Sequence, residues 1–386
     1  MKPRKEKLVV LLIALGISFG LYGNSLGGDF VSDDKLIILQ NPLVSGNSSD
    51  LFKVFSSPYY YNQPHAGLYR PLTVASYNLN KVFSSGPFGF HLLNVILNAI
   101  NGFLVFLLVS KLLDIKGTFA AKKVPFASMV LFMFLPIHSE AVSAIAGRAE
   151  LLSFLFSASS LLFVLNKKYA AASLLLLGGL LSKETAAGFF LVFLYIWKFR
   201  EHRTLKQTLF NSLNFIPAIA VYAIMRAAVL GKYFIGVDHL FAYNPLKLAS
   251  FSQSLWTSLK VFYLYLFKTV APTQLSSDYS FNQIPIVSNP LSHYEVYVAV
   301  IVLAVLIYVA VKKRGNILGL SSAMFLLTFL PVSNWFVKIG TIMGERLMYA
   351  PSLGLVILAV SLADRNFLKF KILNLKLLYI GLAILL

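Results

Sequence analysis

Cysteine is absent from all 386 residues of this chain. Its absence excludes a disulfide framework, a thiolate zinc site and a cysteine nucleophile, and leaves the compartment open. Charge is scarce as well. Asp, Glu, Lys and Arg together make up only 13% of the residues, and acids are the rarer sign, 15 against 34. With 58% hydrophobic residues and a mean hydropathy of +0.74, a soluble multi-domain protein is excluded and a polytopic membrane protein is implied. Also missing are a phosphate-cradling Gly-rich loop, a Ser nucleophile elbow and a dinucleotide fingerprint, which disfavours soluble nucleotide-dependent chemistry.

The charges that are present are placed with a pattern. A formal net charge of +19 could suggest nucleic acid, yet it falls in short clusters between apolar runs. These are Lys2/Arg4/Lys5/Lys7, Lys111/Lys116/Lys122/Lys123, Lys167/Lys168, Lys198/Arg200/Arg203/Lys206, Lys312/Lys313/Arg314 and Arg365/Lys369/Lys371/Lys376. The positive-inside rule makes them cytoplasmic, and most of the acids then fall on the outer face. The apolar run 8–26 resembles a signal peptide. Because hydrophobic segments continue to the end of the sequence, it reads as an uncleaved first span with a cytoplasmic N-terminus.

Eleven spans are expected: 8–26, 90–113, 124–137, 150–165, 169–181, 185–197, 208–230, 297–311, 317–331, 348–363 and 377–386. Residues 27–88 form a first outer loop, in which 50–61 and 69–83 show the spacing of helices lying on the membrane. Residues 231–294 form a second outer region, with 251–270 as an outer-face or partly inserted helix. The limbs between 124 and 197 are shorter than the roughly 20 residues a full crossing needs. Their tips, 138–150 and 182–184, are therefore expected in a protein-lined crevice below the outer surface. Lys376 leaves about 15 Å of helix behind it, so the chain is expected to stop short of its natural end.

Ionisable residues gather on the outer side in five places: Asp33 with Asp34, His138 and Glu140 with Arg148 and Glu150, Lys183 with Glu184, Asp278 with Tyr279, and Glu345 with Arg346. Any one of them could be an ion pair between helices or a solvated helix exit. Burying Arg148, Lys183 and Arg346 together calls for an anion, and phosphate matches the planar fork of arginine. The stretch 28–41 around Asp33 and Asp34 reads as the catalytic loop. His138 and Glu140, two residues apart, do not share a helix face. Zinc does not suit a site with two histidines near it. A divalent ion on Asp33, Asp34 and Glu140 stays open, and no cofactor is required by the sequence.

In order along the chain come Gly28-Asp-Phe-Val-Ser-Asp-Asp34 with Asn41, Tyr69-Arg-Pro-Leu-Thr73 with Ser76-Tyr-Asn-Leu-Asn80, and Gly89-Phe-His-Leu-Leu-Asn94. Pro136-Ile-His-Ser-Glu-Ala-Val142 with Gly147-Arg-Ala-Glu-Leu-Leu152, Leu181-Ser-Lys-Glu184, Leu275-Ser-Ser-Asp-Tyr-Ser280 and Glu345-Arg-Leu-Met-Tyr-Ala-Pro-Ser352 complete the series. In combination they resemble the membrane half of the transmembrane O-mannosyltransferases that carry tetratricopeptide repeats, over essentially the whole chain.

The resemblance implies an all-α GT-C glycosyltransferase fold over residues 1–386. It also implies a polyprenyl-phosphate-linked mannose as donor and a protein hydroxyl as acceptor on the non-cytoplasmic side. The repeat domain expected after the last span is absent, which puts acceptor recognition in doubt and, with the compact loops, leans towards a prokaryotic homologue. On this reading Asp33 or Asp34 takes the acceptor proton and the configuration inverts. Arg148, Lys183 and Arg346 hold the donor phosphate. Arg70, His138, Glu140, Glu150, Glu184, Asp278, Tyr279 and Glu345 support the site or touch sugar, with a structural role as the alternative for each. The competing readings are a GT-C enzyme with another sugar or a lipid or glycan acceptor, and a secondary transporter.

Overall fold

The computed structural model describes residues 3–114, 122–234 and 243–367. Among these residues every regular element is helical and there is no strand. Five of the described helices are long and apolar enough to cross a membrane: Lys5–Gly27, Pro87–Leu112, Ile145–Leu165, Leu205–Tyr233 and Tyr294–Lys312. A sixth candidate is a bent pair, Lys123–Met133 with Pro136–Ser143, turned by 55°. Shorter apolar helices occupy Tyr169–Ser182, Ile317–Val332 and Ser352–Asp364. These are limbs of the kind expected from the short runs between basic clusters. The expected span 377–386 lies outside the described residues.

Two helices form the centre. Helix α4 (Pro87–Leu112) begins on Pro87, whose missing N–H is no loss in a first turn, and 67% of its most apolar stretch is buried. It packs against α1 (Pro3–Tyr22), α5 (Lys123–Met133) and α7 (Arg148–Leu165), and α7 lies along α8 (Tyr169–Ser182). The perimeter is different: the apolar stretches of Lys5–Gly27, Leu205–Tyr233 and Tyr294–Lys312 are only 22%, 17% and 22% buried. A helix apolar on an unburied face is what lipid covers. Glycine brings other pairs together. A Cβ on Gly354, in α15 (Ser352–Phe367), would meet the backbone N of Phe325 at 2.4 Å, so α15 and α14 (Ile317–Phe329) touch backbone to backbone.

The segment 27–88, expected as the first outer loop, folds over one end of this bundle. Its expected first helix is shorter than the spacing suggested: α2 (Asp50–Lys53) passes into a turn, Val54–Ser56, and Ser57 is extended. Pro58 is the reason, since proline clashes with a helical residue before it. The second, α3 (Pro71–Phe83), forms as expected and packs on α4 and α8, burying Thr73, Val74 and Tyr77. In the segment expected as the second outer region, α12 (Phe251–Val270) opens on a capping box of Ser250 and Gln253. It buries Leu259, Val261, Phe262 and Tyr265 and is not among the helices apolar enough to cross.

Candidate functional site

The candidate site is assembled where the segment 27–88 meets the tips of the short hairpins. Ser32 takes a left-handed backbone conformation (φ 47°) and turns the chain after α1. The two aspartates that follow part company. Asp34 is 1% exposed. Its Oδ2 accepts from the Val31 N–H at 3.2 Å and its Oδ1 from the Ala146 N–H at 2.9 Å. It therefore ties the loop to the turn ahead of Arg148. Burial pushes its carboxyl up, and the two N–H donors oppose that rise without cancelling it. Asp33 is half-buried, and no hydrogen bond or ion pair among the described residues engages its carboxylate. Its charge acts on Arg346, Tyr59 and Tyr60.

Three cation–carboxylate pairs stand nearby. Arg346 meets Glu140 twice, through its guanidinium and through its backbone N–H at 2.8 Å, and its side chain is 34% exposed. Lys183 pairs with Glu150 out of contact with solvent. Arg70 and Glu184 form a fork, Nε to Oε2 at 3.1 Å and Nη2 to Oε1 at 2.7 Å. Arg70 also lies over the Tyr59 ring, 5.0 Å from its centroid. Burial pushes the Glu184 carboxyl up, but the Arg70 charge and hydrogen bonds outweigh it and bring the group down to about 2. The pairs feel one another's charge and, through Arg346, that of Asp33.

Other expected site residues are placed elsewhere or already engaged. Arg148 is fully buried. Its guanidinium donates to Asn94, Asn80 and the carbonyls of Ser76 and Phe90, between the Tyr77 and Phe90 rings. All these acceptors are neutral, so Arg148 joins α3, α4 and α7 rather than presenting donors to a cavity. His138 lies inside the bundle, its Nε2 2.8 Å from the Ser352 hydroxyl and its ring beside Phe132 and Tyr349. Glu345 accepts from the Ser276 N–H at 2.8 Å and from the Tyr279 hydroxyl, holding the second outer region against the site. Asp278 is exposed and closes its own turn onto Ser280.

The three carboxylates of the divalent-ion reading, Asp33, Asp34 and Glu140, are engaged to different degrees. Both Asp34 oxygens accept from backbone N–H groups and both Glu140 oxygens from Arg346. Among the described residues no three His or carboxylate groups converge as metal ligands would. Two residues escape a reading of the sequence. Tyr60 feels the charges of both Asp33 and Arg346, and Arg226 is a lone cation within an apolar helix. Each carried a signal: the run of three tyrosines 59–61, and an arginine where lipid is expected.

No family model matches the chain. It is 30% identical to Protein O-mannosyl-transferase F38B6.6 of Caenorhabditis elegans over 378 residues, 96% of this chain and 53% of that protein. Human Protein O-mannosyl-transferase TMTC3 is 26% identical over 90% of the chain and 42% of its own length. Mouse Protein O-mannosyl-transferase TMTC4 is 28% identical over 92% and 55%. The chain spans about half the length of the curated relatives it matches. No solved structure matches it.

Proposed function

Because the chain belongs to the family of the TMTC protein O-mannosyl-transferases, we propose that it is a membrane glycosyltransferase. It moves mannose from a polyprenyl-phosphate donor to a Ser or Thr hydroxyl of a protein on the non-cytoplasmic face, with inversion. The observation that carries this reading is the unengaged Asp33 carboxylate within the field of Arg346. A general base must reach its proton unhindered, and Asp33 meets that requirement where Asp34 does not. Asp34 is instead the tether that holds the loop.

In the reaction the acceptor oxygen attacks the anomeric carbon as Asp33 takes its proton, and the bond from that carbon to the phosphate oxygen breaks. The leaving group is a polyprenyl phosphate, stable as an anion, so a cation beside it takes the place of a general acid. Arg346 suits that place because a third of its side chain is open and Glu140 fixes its direction. Lys183 and Arg148 act from behind, Lys183 through its field and Arg148 by holding three helices in register. The topology that goes with this reading is an eleven-span bundle of GT-C type with a cytoplasmic N-terminus.

The test is transfer of labelled mannose from polyprenyl-phosphate mannose to a Ser/Thr-rich peptide by the purified protein. Asp33→Asn is expected to lower the rate by about 10²–10⁴-fold, the usual contribution of a general base, at an unchanged melting temperature. Asp34→Asn is expected to lower the melting temperature. Full transfer by Asp33→Asn would remove the base from this scheme, and donor hydrolysis without peptide transfer would move the acceptor to another class of molecule.

A further inference from the structure

Helix α11 (Ile216–Leu230) belongs to the least buried of the membrane-capable helices. Within it sits Arg226, half-buried. Its guanidinium donates to the carbonyl of Gly67 at 2.7 Å, to the Tyr222 hydroxyl at 3.2 Å and to the carbonyl of Phe234 at 3.3 Å. All three acceptors are neutral. Arg70, Lys183 and Arg346 each have a carboxylate at contact distance, whereas Arg226 has none among the described residues. A cation on a lipid-facing helix is expensive to hold without a counter-charge. Arg148, which also lacks a carboxylate at contact distance, is buried in the protein with four hydrogen bonds, while Arg226 stays partly open.

Its position points inward to the site. Tyr222, one turn before it, packs its ring 6.4 Å from that of Tyr69, next to Arg70. Leu230 and Tyr69 share a buried cluster with Leu181, close in sequence to Lys183 and Glu184. The charge of Arg226 reaches the Glu184 carboxylate, beyond ion-pair distance. Just past the helix, Lys232 is exposed over the Tyr233 ring, which meets His65 edge-on. The arrangement is a basic and aromatic rim, open to lipid on one side and continuous with the Arg70–Glu184 pair on the other.

We propose that Arg226 marks a lateral portal for an anionic phosphate carried on a lipid chain, which passes between α11 and the 64–70 turn before its head reaches Arg346. The inference rests on the donor class of the preceding section and adds the entry route. A prenyl tail left in the bilayer along the open face of α11 explains why the cation lies on that helix. A water-soluble phosphate would gain nothing from this placement.

The test uses the full chain in nanodiscs of neutral lipid. Binding of polyprenyl monophosphate and of methyl phosphate is measured beside the KM for polyprenyl-phosphate mannose. Arg226→Gln keeps a donor for the Gly67 carbonyl and removes the charge. It is expected to raise the donor KM and weaken polyprenyl monophosphate binding by about 10-fold or more, with kcat within about twofold because the group is remote from the reacting carbon. Arg226→Lys, should the Gln variant fold poorly, is expected to retain most of the binding. Methyl phosphate is expected to bind weakly and equally to all forms.

Unchanged KM and binding in Arg226→Gln, or equal loss in the Lys and Gln variants, would overturn the portal while transfer by the wild type keeps the enzymatic reading. Charge-dependent sensitivity to methyl phosphate would overturn the lipid source. Lipid-phosphate binding through Arg226 without mannose transfer would keep the portal and defeat the enzymatic reading.

Discussion

Arg148 and Glu184 are both charged, and their partners give them opposite behaviour. Arg148 is surrounded by neutral acceptors and acts as a fixed post. Glu184 is held by a cation and is ionised far below the usual carboxylate range, at about 2 against an ordinary 4.5. Since the folded value lies below the unfolded one, the stability from the Arg70 pair is full above about pH 4.5 and is lost as pH falls towards 2. The Glu184 side chain is 36% exposed, so solvent screens the pair and the expected effect is about 1 kcal/mol or less. Melting curves of the wild type and Glu184→Gln should differ by a constant few degrees from pH 7 to about 5 and converge below that. A gap that persists or widens in acid would show that the fork does not hold the loop. At this scale the sequence marks which residues carry charge and leaves their directions open. Asp33 and Asp34 are neighbours of one chemistry. Their different surroundings depend on a left-handed Ser32 and on the Ala146 N–H, 112 positions away.

Between residue and fold lie the turns that join the short helices, and here the arrangement is tight. Gly147 separates the short helix α6 (Ser139–Ser143), which carries Glu140, from α7, which begins at Arg148. A Cβ on Gly147 would lie 2.3 Å from the carbonyl oxygen of Ala141. Backbone cannot swing aside as a side chain can. Gly147→Ala must therefore part α6 from α7 and disturb the Ala146 N–H that Asp34 accepts. Overpacking of this kind costs about 1–3 kcal/mol. The expected outcome is a melting temperature several degrees lower and reduced mannose transfer, checked together on the same preparation. Wild-type values for both would show that the turn has room. Element lengths were legible here because apolar runs bounded by charge set them. The helix expected at 50–61 was not, because its apolar spacing continues through Pro58 although the backbone cannot.

For the molecule as a whole, the proposed topology makes a claim about sides. It places the first outer loop and the second outer region on one face and the basic clusters on the other. Helix α13 (Tyr294–Lys312) has 19 residues, about 28 Å of rise, close to the hydrocarbon thickness. Residues on either side of it should therefore face opposite compartments. The side of residue 277 relative to residue 48 depends on α12 staying on the outer face. If α12 crossed, Lys312, Lys313 and Arg314 would lie outside, against the positive-inside rule. The chain contains no cysteine, so single cysteines report position without background. Ser48, Ser277 and Lys313 are all exposed. Ser48→Cys and Ser277→Cys are expected to react with a membrane-impermeant maleimide in intact cells. Lys313→Cys is expected to react only after permeabilisation. Protection of Ser277→Cys with labelling of Lys313→Cys would make α12 a span and reverse the later helices. Labelling of both would mean that α13 does not cross. The first result would move Tyr279, which bonds Glu345 next to Arg346, away from the face where Asp33 is proposed to act, and the second would set Glu345 on the opposite side from Tyr279, against that bond.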